Sequence, residues 1–195
     1  MSREIHVRFW ESPGVRFPRA TRLVICCRGT ADEAMAVTRD LMQRLRLTIN
    51  EKKTRLCRLP NESFDFLGYT IGRCYSPKTG RAYIGTRPSK RKVNRLCREI
   101  SEATSSRWTL KDVAERVDLL NRKLIGWSNY FCLGPVSKAY AAVDQHVCKR
   151  LRQWLCKKHK VPGSGTARFP DHYLHRELGL VRLSKRTHSF PWAKA

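Results

Sequence analysis

Acidic residues are scarce in this chain. Sixteen Asp and Glu stand against 40 Lys and Arg in 195 residues, a formal net charge of +24. Asp32, Asp40, Asp65 and Asp112 stand singly and read as caps, surface charges or turn residues, not as the clustered carboxylates that hold a pair of Mg²⁺ ions. Long apolar runs are also missing. Nothing approaches the ~20 residues of a membrane helix, and Met1 to His6 lacks the apolar core of a secretory signal. The eight cysteines contain no CxxC pair. Cys148 and Cys156 share a basic segment with His159, but no second ligand pair follows at zinc-finger spacing. The thiols therefore read as reduced cysteines of a cytoplasmic protein. None of the six histidines has a Cys or Ser partner at a spacing suited to acid–base chemistry. No internal repeat is evident.

What is present is cationic and foldable. Hydrophobic residues make up 41% of the chain, enough for a core and unlike a disordered basic tail. A charge of +24 on a compact body raises a positive field that attracts phosphate backbones. Nucleic acid is the expected partner, ahead of an anionic membrane or a merely solvated surface.

Along the chain, residues 1–22 show no clean period and are expected to be an irregular lead-in. Leu23 to Cys27 is a short apolar run suited to a buried strand. Thr30 stands three before Glu33, a capping-box pattern. The helix it opens carries Ala34, Val37, Leu41 and Leu45 on one face and runs to about Arg46. Thr54 to Leu59 and Phe64 to Ile71 read as strands, with Gly68 suggesting close approach of another backbone. A turn at Ser76 to Gly80 and a returning strand to Gly85 complete a hairpin.

After Thr86-Arg87-Pro88 the period changes from two to 3.6. Three helices are predicted. The first is capped by Ser89 and carries Val93, Leu96, Cys97 and Ile100. The second starts near Thr109, with Val113, Val117, Leu120, Leu124 and Trp127. The third runs from Ser137 to about His159, with Tyr140, Val143, Val147, Leu151, Trp154 and Leu155 inward. Such stripes mean a packed bundle. Gly163-Ser164-Gly165 reads as a flexible link, followed by a short helix around Asp171 to Leu178.

Several segments resemble one family. Leu47 to Thr54, LTINEKKT, is similar to the "LTLNxxKT" segment of reverse transcriptases encoded by group II introns. Phe64 to Tyr69 resembles their "FxFLGF" strand, and Arg87-Pro88-Ser89-Lys90 the start of their thumb. Gly126 to Phe131, GWSNYF, is similar to the "GWxNYF" signature of the maturase-specific domain, and Arg152 to His159 to the basic helix that follows it. Five such motifs occur in the family's order. The resemblance implies a C-terminal fragment with an α+β fold: a truncated reverse-transcriptase palm followed by a helical thumb/maturase bundle. The implied divisions are the lead-in 1–22, residual palm 23–86, thumb and maturase-specific domain 87–160, and C-terminal tail 161–195.

One departure bears on activity. In the family a Tyr-Ala-Asp-Asp turn supplies catalytic carboxylates, and Arg19-Ala20-Thr21-Arg22 stands at that place here. Thr21 is a poor metal ligand and Arg22 repels a cation. The resemblance therefore implies neither a catalytic residue nor a metal site, although the complete family enzyme uses Mg²⁺. The Lys52-Lys53-Thr54 turn becomes structural or a weak phosphate contact.

Two basic clusters remain as the candidate RNA-binding surface. Lys90, Arg91, Lys92, Arg95 and Arg98 crowd one predicted helix, and Lys149, Arg150, Arg152, Lys157 and Lys158 another. Wide basic helix faces follow phosphate backbones, and Arg forks onto them. Asn129 and Tyr130 fall on directions neighbouring that of Trp127 and Phe131 and could reach sugar or base edges, although Asn129 could equally cap the helix end. Three functional expectations stay open. The chain is a maturase-type RNA binder assisting folding and splicing of group II intron RNA. It is the C-terminal part of an RNA-directed DNA polymerase whose fingers and catalytic palm come from another chain. Or it is a non-functional remnant of a mobile element. DNA is a second candidate polyanion. A palm short of strands is also expected to expose apolar surface and to self-associate.

Overall fold

The computed structural model describes residues 3–11, 21–27, 30–51, 54–76 and 78–187; for 3–11 and 21–23 only the backbone is described. Strands and helices both contribute, as the α+β expectation requires. The chain divides into two compact units, residues 1–86 and 87–195. Among the described residues no helix is long and apolar enough to cross a membrane.

The first unit contains two sheets. Strand β1 (Arg3–Glu11) pairs antiparallel with β2 (Thr21–Cys27), and also with β3 (Thr48–Ile49) and β4 (Arg55–Leu59). For residues 3–11 and 21–22 this corrects the irregular lead-in expected there; the rest of that span lies outside the described residues. Glu4-Ile5-His6-Val7-Arg8-Phe9 alternates polar and apolar, the period of a half-buried strand. The breakers Pro13-Gly14 and Phe17-Pro18 obscured that short run. Helix α1 (Ala31–Arg44) follows β2, with Thr30 Oγ1 accepting from Glu33 N at 3.4 Å, as the capping pattern predicts.

The second sheet runs β5 (Phe64–Phe66), β6 (Tyr69–Tyr75), β7 (Ala82–Pro88). The expected single strand Phe64 to Ile71 is instead a hairpin. Leu67 and Gly68 both have positive φ, 49° and 87°, the requirement of a two-residue turn that matches strand twist. Gly68 is there for that turn, not for the approach of another backbone. Cys57, Leu59 and Phe64 form this unit's small buried core, with Val24, Phe66 and Ile71 against it. Along α1, Ala31, Thr38 and Met42 are buried, whereas Val37, Leu41 and Leu45 are 61%, 49% and 61% exposed. The predicted apolar stripe thus faces outward.

The second unit is helical: α2 (Lys90–Ala103), α3 (Val113–Tyr130), α4 (Ser137–Lys158) and the single turn α5 (Leu183–Arg186). The middle helix starts later than expected. A 3-10 turn takes Ser106–Trp108, and Asp112 caps α3, its Oδ2 accepting from Ala114 N at 2.9 Å and Glu115 N at 3.3 Å. The inward residues predicted from periodicity meet in one core, in which Ile100, Leu120, Leu124, Tyr140, Val143, Val147, Leu151 and Trp154 have no exposed surface. Each such side chain contributes on the order of 1.5–3 kcal/mol by leaving water.

Residues 161–195 are not a tail in their described part. Phe169, Leu174, Leu180 and Leu183 belong to the same core. Gly163-Ser164-Gly165 is a packed turn, not a loose link. Gly165 is buried with φ 72°, and a Cβ there would overlap Cys156 Sγ. Glycine is the residue that tolerates both conditions. The short helix around Asp171 to Leu178 includes a π-type turn at Tyr173–Glu177.

Candidate nucleic-acid interface

Helix α2 begins where Pro88 fixes the backbone and Ser89 Oγ accepts from Lys92 N at 3.4 Å. It turns Leu96 and Ile100 inward and leaves Lys90, Arg91, Arg95 and Arg98 exposed, with Lys92 half-buried. Arg95 is engaged: its Nε lies 3.0 Å from Glu99 Oε1, and Lys123 Nζ approaches the other carboxylate oxygen at 3.5 Å. Burial pushes the Glu99 pKa up, but the hydrogen bonds from Arg95 and Lys123 outweigh it and hold the carboxyl below its usual range. Lys90, Arg91, Lys92 and Arg98 have no ion pair among the described residues.

The basic residues of α4 divide into two sets. Lys149 and Lys157 are exposed and have no ion pair or side-chain hydrogen bond among the described residues. The other three are committed to the fold. Arg150 donates from Nε to Thr104 Oγ1 (3.2 Å) and from Nη2 to Ser101 O (3.0 Å) and Thr104 O (3.4 Å), closing the C-terminal turn of α2. Arg152 donates to Phe169 O at 2.9 Å and pairs with Asp171 at 2.5 Å. Lys158 Nζ donates to Thr109 O (3.0 Å) and Lys111 O (2.9 Å), holding the loop before α3. Cations at orphan carbonyls satisfy acceptors and oppose the negative helix end.

Within GWSNYF, Trp127 is half-buried and Phe131 buried, their rings 4.8 Å apart, with Tyr140 5.9 Å from Trp127. Tyr140 Oη lies 3.1 Å from Ser128 O and 3.0 Å from Phe131 O, so its one proton serves the last carbonyls of α3. Tyr130 is 54% exposed. Asn129 is exposed and its Oδ1 accepts from Arg186 Nη2 at 2.9 Å. The signature therefore builds a helix end and pins the following chain, with Tyr130 as its outward member.

Sequence reasoning missed the polar side chains that fasten residues 161–187. Asp144 is buried, and its carboxylate accepts from Leu183 N (2.8 Å), Ser184 N (2.9 Å) and the Ser184 hydroxyl. Asn121 Oδ1 accepts from Val181 N at 2.9 Å, while its Nδ2 donates to Gly179 O at 2.9 Å. A carboxylate sharing the inward stripe of Tyr140, Val143 and Val147 was the available signal. Arg116 was missed too. It is 4% exposed, its guanidinium carbon 5.0 Å from the Trp108 ring centroid, and its Nε lacks a hydrogen bond.

Residues 93–174 match the family model of the group II intron maturase-specific domain. Over those residues the chain is similar to a group II intron maturase-specific domain. No curated protein matches the chain. The matched maturase segment begins inside α2 and ends at Leu174, yet the core it belongs to extends to Leu183.

Burial, then the Asp171 charge, pushes the Cys148 thiol up to about 11, so it stays protonated. Its sulfur lies 3.4 Å from His175 Nε2, and His175 Nδ1 is 2.7 Å from Leu180 O. The consistent tautomer has Nδ1–H donating to Leu180 O and the thiol donating to Nε2. Among the described residues of the whole chain, no three His, Cys, Asp or Glu side chains stand close enough to hold a metal ion. In the first unit Asp40 pairs with Arg44 at 2.8 Å, and Asp65 accepts from the Thr70 hydroxyl at 2.5 Å. Arg19-Ala20 and Lys52-Lys53 lie outside the described residues, and Thr21 and Arg22 are in β2.

Proposed function

We propose that the protein binds group II intron RNA and assists its folding and splicing, without nucleotide addition of its own. The observation that carries this is the maturase-specific match over residues 93–174. Uncompensated cations on the same unit support it. Lys90, Arg91, Lys92 and Arg98 on α2, with Lys149 and Lys157 on α4, are free to meet phosphates, while the core behind them fixes their spacing. Thr21 and Arg22, where the resemblance puts paired aspartates, support the absence of polymerase chemistry. Filter binding of a group II intron RNA across a salt series tests the reading. Log affinity should fall with log salt by roughly 0.7–0.9 per neutralised phosphate. Binding that ignores salt, or no binding at low salt, refutes it.

One observation favours a second reading. The outward stripe Val37, Leu41, Leu45 on α1 leaves an apolar face bare, as expected of a palm segment lacking a partner. On this reading the chain completes an RNA-directed DNA polymerase whose catalytic palm lies on another polypeptide. Primer extension by such a fragment, stimulated by this chain and lost on Leu41→Lys, would establish it. No stimulation would leave the first reading alone.

A further inference from the structure

The hairpin of β6 and β7 carries a surface that the maturase match does not reach. Ser76 N donates to Arg81 O and Gly80 N to Ser76 O, both at 2.9 Å, closing its turn. Residues 66–86 contain Arg73, Lys78 and Arg81 and no Asp or Glu. All three cations are exposed and have no ion pair or side-chain hydrogen bond among the described residues. Two rings are exposed beside them, Tyr75 at 61% and Tyr83 at 41%.

Tyr83 has a built seat. Its ring lies over Gly85: a Cβ at that glycine would stand 2.7 Å from Tyr83 Cε2 and 3.2 Å from Cys74 Sγ. Glycine leaves the space in which the ring rests on the sheet beside buried Cys74. Side chains alternate along a strand, so Arg81 shares the Tyr83 face, about 7 Å away. On β6 the same alternation puts Cys74 on that face and Tyr75 and Arg73 on the other.

We propose that Tyr83 is a stacking platform for a base of single-stranded RNA, with Arg81 taking the adjoining phosphate. This rests on the RNA-binding reading above and extends it to the first unit. An aromatic ring fixed on a sheet and open to solvent, next to a free cation, suits an unstacked base and its phosphate. A paired stem hides its base faces and offers phosphates alone. Among the described residues β7 is also the outer strand of its sheet, where a strand of another chain can add. A second copy would set a hairpin of three cations and no carboxylate against itself, and charge therefore favours the polyanion.

The test measures binding of a single-stranded oligoribonucleotide and of an RNA hairpin stem by the full chain and four variants. Tyr83→Leu removes the ring, Tyr83→Phe keeps it, Arg81→Gln removes the cation, and Tyr75→Leu alters the exposed tyrosine of the other face. Tyr83→Leu should weaken single-strand binding about tenfold, the scale of one stacked base, and leave stem binding as it was. Tyr83→Phe and Tyr75→Leu should bind the single strand like wild type. Arg81→Gln should lower the salt slope of single-strand binding by about 0.7. In a second measurement, an oligoribonucleotide carrying 5-iodouridine should cross-link to Tyr83 on irradiation. Unchanged single-strand affinity in Tyr83→Leu, an equal loss in Tyr75→Leu, an unchanged slope in Arg81→Gln, or cross-links at other residues alone overturn the platform. So does a Tyr83→Leu variant that binds RNA normally but turns a dimer into a monomer in sedimentation, which would give this face to a second copy. Absence of salt-dependent binding of either RNA by wild type would instead sink the broader reading.

Discussion

Two histidines of the helical unit illustrate how a ring nitrogen's surroundings decide its chemistry. His175 is locked between the Cys148 thiol and Leu180 O, so both ring nitrogens are spent on fastening the segment after α4. His146 lies at the α2–α4 contact, its Nε2 3.0 Å from both Cys97 O and Ser101 Oγ. Burial lowers its pKa from 6.5; the Cys97 hydrogen bond raises it, and the nearby Arg150 and Lys149 charges lower it further. The folded protein therefore binds a proton at His146 less readily than the unfolded chain does. Its contribution to stability is complete above the unfolded value near 6.5 and is lost as pH falls from there toward the depressed folded value. The melting temperature should drop between pH 7.5 and pH 5.5, and His146→Gln should flatten part of that drop. A slope identical in the variant would show that His146 carries none of it.

At the scale of elements, the join between α2 and α4 rests on Arg150. Its guanidinium reaches Thr104 and Ser101 together, a task for a planar fork rather than a point charge. Arg150→Ala should destabilise the chain by about 2 kcal/mol, the range of hydrogen bonds to a charged group, and Arg150→Lys should recover only part. Lys149→Gln, one residue away and exposed, should leave the stability within about 0.5 kcal/mol of wild type. Thermal unfolding of the three variants separates fold from surface. This distinction was not legible in the sequence. Periodicity gave α2, α3 and α4 and their inward residues, because a 3.6-residue stripe is a local property. It also gave Ser89 and Thr30 as caps. Whether a basic residue faces solvent or reaches a carbonyl 46 positions away is a tertiary matter, so Arg150, Arg152 and Lys158 looked no different from Lys149 and Lys157. The packed turn at Gly165 was missed for the same reason: its partner Cys156 only meets it once the chain folds back.

For the molecule as a whole, a net charge of +24 opposes compactness unless a polyanion neutralises it. Only cations free of structural duty can take up phosphates without cost to the fold. Arg91, Arg98, Lys149 and Lys157 qualify; Arg150, Arg152 and Lys158 do not. Neutralising the first four together should lower the salt slope of RNA binding by about 3, at roughly 0.7–0.9 for each phosphate left without its cation, with the melting temperature almost unchanged. Neutralising the second three should lower the melting temperature first, and weaken RNA binding only as the folded population falls. Measuring slope and melting temperature on both variants tells the two sets apart. If the four-site variant kept the wild-type slope, the exposed faces of α2 and α4 would not be where RNA lies. If the three-site variant melted like wild type yet showed a shallower salt slope, the internal hydrogen bonds of Arg150, Arg152 and Lys158 would be dispensable and those residues would belong to the RNA surface after all.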